Sequence, residues 1–230
     1  IKMKNKIIKI AFALVVFATV SISCSDEFVD RDPVYSIDSE NYFNSEADYN
    51  QALIAAYDLL QASYVNVLLG EIASDNTLSG GESANDVIGF QQVDEMTHTP
   101  VNSNLRDLWN WMFAGVNRAN YILEFKDKTD FEGKEQIIAE ARFLRAQAYF
   151  LLVQTYGGVP VVNEHITTPV LSFTRNTAEE VYTQIITDLD FALANVGTST
   201  YSTAGKVNKR AVNDLLAKVY LTRGYETFGK

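Results

Sequence analysis

One cysteine, Cys24, in 230 residues excludes an internal disulfide and leaves nothing on which to build a thiolate metal cluster. Histidine is almost as scarce. His98 and His165 stand far apart and lack metal-ligand spacing, so no metal site and no histidine-based catalysis is expected. Basic charge is short as well. All four charged residues before Cys24 are lysines, and from Cys24 onward 15 Lys and Arg face 29 Asp and Glu, a balance of −14. That argues against nucleic acid, which demands a basic face. No convincing set of strands can be found. Gly81-Glu82-Ser83-Ala84-Asn85 begins like a nucleophile elbow but lacks the closing glycine and a preceding strand. Glycine-rich phosphate loops and acidic calcium loops of proper form are missing too. With no catalytic constellation to name, the chain is expected not to be an enzyme and to need no cofactor.

What is present begins with an address. Lys2, Lys4 and Lys6 flank Met3, and Ile7–Val20 is then almost purely apolar. This is the plan of a secretory signal, too short for a confident membrane span. The sole cysteine falls where cleavage is expected, after the small Ser23, and the segment resembles a bacterial lipoprotein precursor. Ser21 departs from the usual leucine three residues before the cysteine. The expected organisation is a lipoprotein signal peptide over 1–23, lipidation at Cys24, a tether over 24–44 and a helical domain over 45–230. Ser25-Asp26-Glu27 resembles the acidic tag of surface-exported lipoproteins, which places the chain on the outer membrane facing the exterior.

The body reads as all-α. Ser45 with Asp48 predicts a helix start, and Tyr49, Leu53, Ala56, Tyr57 and Leu60 carry that helix to about Ser63. Val65–Ala73 is apolar and short. From Ser74 to Ser103 no periodicity holds, and a loop that long is more often functional than idle. Helices are then predicted from Ser103 or Asn104 through Leu123, through Glu140–Tyr156, from the Thr177/Glu180 capping box through Leu193, and from about Asn208 toward Gly224. In EARFLRAQAYFLLVQTYGGVP (140–160), Ala141, Leu144, Ala148, Leu151 and Leu152 make one apolar stripe. Phe143, Ala146, Phe150 and Val153 make another. A helix apolar on two sides is sandwiched between neighbours. The lengths and Ala/Tyr/Leu stripes point to tetratricopeptide-like hairpins, although no repeat consensus is visible.

Glu140-Ala141-Arg142-Phe143-Leu144-Arg145-Ala146, Tyr149-Phe150 and Tyr156-Gly157-Gly158-Val159-Pro160 carry a family resemblance. Ser74-Asp75, Asn117-Arg118-Ala119-Asn120, Arg175, Glu179-Glu180-Val181-Tyr182 and Lys209–Leu221 support it. Together with the lipoprotein-like start, the chain resembles the N-terminal part of a SusD/RagB-type outer-membrane nutrient-binding lipoprotein. The resemblance implies a helical-repeat scaffold capping a SusC-like TonB-dependent transporter. Such a pair captures oligosaccharides, or peptides in RagB-type members, without breaking bonds. Relatives are usually much longer, so a fragment or a short relative is implied, with the helical stack left open at its C-terminal end. A helical-repeat assembly protein with no small ligand is the alternative of a different class.

Sugars are held by flat aromatic faces and by amide, carboxylate and guanidinium groups on their hydroxyls. Asp75 and Asn76, at the mouth of the long loop, are the polar candidates, with ordinary turn chemistry as the other reading. Trp111 and Phe90 are the stacking candidates. Trp111 equally suits packing on another layer, and Phe90 equally suits a small core within its loop. Trp109 is assigned to the core, and Glu140, Arg142 and Arg145 to ion pairs between helices or to the transporter contact.

Overall fold

The apolar-periodic runs become helices, and local chemistry sets their ends. The computed structural model describes residues 42–83, 85–170, 172–197 and 205–228. The expected signal segment, Cys24 and the tether up to residue 41 lie outside the described residues. The described residues hold seven α-helices and no strand: α1 Glu46–Asp58, α2 Ser63–Ile72, α3 Ile88–Asp94, α4 Ser103–Glu124, α5 Lys134–Tyr156, α6 Ala178–Asn195 and α7 Lys209–Phe228. The first predicted helix is shorter than expected. It stops at Asp58, and a 3₁₀ turn over Leu59–Ala62 leads into α2. The segment expected to be structureless contains the seven-residue α3.

Consecutive helices pack as antiparallel hairpins. Tyr156, at the end of α5, donates to the carbonyl of Leu105 near the start of α4. Gln136, at the start of α5, accepts from the backbone of Gly197 just past α6. Arg223, late in α7, pairs with Glu179 at the start of α6. The central helix α5 is therefore flanked by α4 and α6, while α1 lies on α4 and α5. Both of its apolar stripes are occupied: Ala141, Leu144, Ala148 and Leu152 are buried, as are Ala146, Phe150 and Val153. Small residues set the spacing. A Cβ placed on Gly115 of α4 would touch the Ala148 methyl at 3.7 Å.

Polar residues fix how the three central helices meet. Arg145 forks onto Asp188 of α6, with Nε to Oδ2 and Nη2 to Oδ1 both at 2.7 Å. Its third nitrogen, Nη1, donates to Asn120 of α4 at 2.8 Å. Arg145 is 5% exposed, Asp188 0% and Asn120 1%. Arg142 stands 3.4 Å from Asp188 and covers the Phe191 ring at 4.2 Å. Glu140 is also fully buried, but its partners are Tyr57 and Gln136 rather than a cation.

The same asparagine reaches the loop between α5 and α6. Asn120 Nδ2 donates to the carbonyls of Val162 and Glu164, both at 2.9 Å. Asn117 pairs with Ile166 in both directions, as a strand neighbour would. The Tyr149 hydroxyl accepts from Val162 N at 2.7 Å and donates to its carbonyl at 3.1 Å. Burial pushes that hydroxyl up to about 12, so it keeps its proton at neutral pH. Arg175 reaches back to the carbonyls of Tyr156 and Gly158, capping the C-terminus of α5. Gly157 has φ +70°, and a Cβ on Gly158 would collide with the Asn176 carbonyl at 2.1 Å, so the turn needs both glycines.

Removing one member of the buried Arg145–Asp188 pair strands the other. Asp188→Ala is expected to cost about 3–5 kcal/mol, read as a lower urea midpoint with native helicity retained below it. Arg145→Lys keeps the charge but cannot make the fork, and falls between.

The capping box gives a pH dependence. Thr177 N donates to Glu180 Oε2 at 2.7 Å and Glu180 N donates to Thr177 Oγ1 at 3.3 Å. These bonds favour the carboxylate and hold Glu180 below its ordinary value of 4.5. A lowered value in the folded state means the stabilisation is full above the unfolded value and is lost as pH falls through the folded one. Urea titrations of wild type and Glu180→Gln are expected to differ at neutral pH and to converge as pH drops below about 4.

Candidate functional site: a cleft beside Trp109

The segment joining α2 to α4 does not lie loose. Asn102, 4% exposed, caps α4 by accepting from Asn104 N and Leu105 N. Its amide donates to the Gly89 carbonyl and to Gln92 Oε1, which ties α3 to the start of α4. Val87, at the entrance to α3, is held at φ +45°, unusual for a β-branched residue. Ser79 N donates to Asp94 at 2.7 Å and closes the loop on itself.

This arrangement leaves a cleft of about 990 Å³ between α2, the 96–100 turn, the first turns of α4 and the end of α5. Trp109 and Tyr156 form its aromatic wall, their rings edge to face at 5.2 Å. Asn66, Gln154, Thr99 and Thr155 bring neutral donors and acceptors, and Arg106 and His98 bring cationic or cation-capable ones. Burial pushes the Tyr156 hydroxyl up to about 12, and it stays committed to the Leu105 carbonyl. The other side of Trp109 faces a smaller hollow of about 250 Å³ with Phe113, Pro160, Val162 and Phe173. Trp109 is thus only partly buried. It packs on the core, as expected, and at the same time borders both cavities.

None of the four sequence candidates lines the larger cleft. Asp75 and Asn76 are exposed two and three residues beyond Ala73, which does line it. The Asn76 backbone N–H donates to Ser74 Oγ at 3.3 Å, a turn bond. Phe90 is partly buried and packs on the core from α3. Trp111, 38% exposed, borders a separate small hollow with Leu59, Leu60, Gln147 and Leu151. Arg106 and Gln154 carry no signal as cleft residues in the sequence, because a polar residue on a helix ordinarily reads as solvated surface, and Tyr156 is marked there only by the family resemblance. His98 and His165 are not neighbours: His165 rests on the Tyr121 ring and lies 3.5 Å from Glu124. Among the described residues no group of side chains is arranged to hold a metal.

A SusD-like family, described as starch-binding and associating with the outer membrane, matches residues 27–221. A SusD-like protein of Bacteroides ovatus is 29% identical over an alignment covering 96% of this chain and 40% of that protein. Among solved structures, a laminarin binding SusD-like protein superposes with a TM-score of 0.72 at 28% identity, over 80% of this chain and 42% of that one. Surface glycan-binding protein A from Bacteroides fluxus does so with a TM-score of 0.70 at 25% identity, over 80% and 41%. The chain spans about 40% of the length of the curated relatives it matches. The shared helical stack and a match running through nearly the whole described region place this chain in the SusD-like family.

Proposed function

We propose that this chain is the N-terminal part of a cell-surface lipoprotein that captures oligosaccharides and passes them to a SusC-like TonB-dependent transporter, with no bond broken. The cleft carries the proposal. It joins an aromatic wall at Trp109 to amides and hydroxyls from α2, α5 and the 96–100 turn, the combination that grips a sugar's C–H face and its hydroxyls together. A laminarin binding protein among the structural relatives supports a glycan over a peptide. Asp75 and Asn76 are proposed as outer contacts at the rim. Phe90 packs on the core, and Trp111 borders a different hollow. Lipidation at Cys24 supplies the anchor. The exposed apolar side chains Ile54, Tyr64 and Val67 leave surface on α1 and α2 suited to a protein partner such as the transporter.

Affinity electrophoresis in gels containing laminarin tests the reading, with calorimetry to measure affinity. The purified protein is expected to be retarded and to release no reducing ends. Trp109→Leu keeps an apolar side chain but removes the ring face, and is expected to weaken binding about tenfold. Gln154→Ala, on an exposed position, tests the polar wall with little risk to folding. Release of reducing ends by the pure protein, or unaltered affinity in both variants, overturns the proposal.

A further inference from the structure

The charge of the cleft differs from that of the protein. The sequence carries a formal charge of −10, yet among the described residues no aspartate or glutamate lines the cleft. Glu71, Asp75, Asp94 and Glu95 stand nearby in the chain but outside the lining, and Asp94 is engaged by Ser79. The two residues in the lining that can bear charge are Arg106 and His98. Arg106 is exposed on the first turn of α4, and among the described residues its guanidinium has no hydrogen bond or ion pair. Other arginines are committed: Arg118 to Asp58 and the Ala55 carbonyl, Arg145 to Asp188, Arg175 to two carbonyls, Arg223 to Glu179.

A free planar fork of N–H donors beside an aromatic wall, with carboxylates excluded, is chemistry for an anion attached to a ring. We propose that the cleft selects oligosaccharides bearing an anionic substituent, a uronate carboxylate or a sulfate ester, and that Arg106 holds this group. The inference rests on reading the cleft as the glycan site. Stacking on Trp109 serves any pyranose, so the wall gives affinity and Arg106 gives discrimination. His98, across the turn, adds a ring N–H to the same anion. The remaining negative charge of the protein repels an acidic sugar elsewhere on the surface, which confines productive binding to this opening.

Calorimetry with three probes separates the possibilities: trigalacturonate for the carboxylate, sulfated neocarrabiose for the ester, and laminaritriose as the neutral control. At about 20 mM salt one of the two acidic probes is expected to bind about tenfold tighter than the neutral one. That ratio shrinks toward one at about 300 mM salt, because an exposed guanidinium is screened. Whichever acidic probe binds identifies the anion. Arg106→Ala is expected to bring the acidic-to-neutral ratio to about one, and Arg106→Lys to keep part of it, with thermal midpoints matching wild type. A wild-type protein that binds laminaritriose as tightly as both acidic probes overturns charge selection and leaves the glycan reading standing. A preference that survives Arg106→Ala overturns the assignment to this residue. Failure of all three probes together with laminarin removes the glycan reading and this inference with it.

Discussion

The fork of Arg145 onto Asp188 is the interaction on which the architecture depends. A buried guanidinium is tolerated only when its donors are satisfied, and here three nitrogens reach two different helices. That requirement fixes the rotation of α5 against α4 and α6 together, since turning any one of them breaks a bond that water cannot replace. Apolar stripes press the helices together without saying how they slide. The polar triad supplies the register.

Its reach extends beyond the helices. Asn120 spends its oxygen on Arg145 and its amide on the Val162 and Glu164 carbonyls. The loop after α5 is therefore held in place through α4, and Asn117 repeats the device one turn earlier at Ile166. Val162 and Ile166 so positioned form one side of the apolar hollow behind Trp109. Trp109 cannot retreat into a continuous core, because that space is already shaped by the pinned loop. It stands instead as a wall with a cavity on either side, and the larger cavity opens among polar side chains.

The opposite side of the cleft depends on a second polar hub. Asn102 caps α4 and simultaneously gathers α3 through Gly89 and Gln92. Without it the Val93–Pro100 segment would have little to hold it, since α3 has only seven residues and one fully buried side chain. The site is thus assembled by three asparagines acting from α4 in two directions, Asn117 and Asn120 on the loop after α5 and Asn102 on α3. The helical scaffold itself is shared with a relative at 28% identity.

Much of the scaffold was legible from local pattern. The 3.6-residue stripes named the five long helices, the Thr177–Glu180 pair fixed the start of α6, and Gly157 marked the end of α5. The ion-pairing role expected for Arg142 and Arg145 was legible because charges amid a doubly apolar helix need buried partners. The candidate site was less legible. Of the two stacking candidates, Phe90 packs on the core and Trp111 borders a separate hollow, while Trp109, a core residue by its spacing, also lines the cleft.

Residue order alone determined that this chain makes helices, where most of them stop, and which faces must be covered, since these follow from spacing and capping within one or two turns. Only the tertiary structure decided that Trp109 lines a cleft and that, among the described residues, Arg106 is left without a partner and no carboxylate lines that cleft. Those properties depend on which atoms from distant segments arrive at the same place, and a repeat of 3.6 residues carries no information about that.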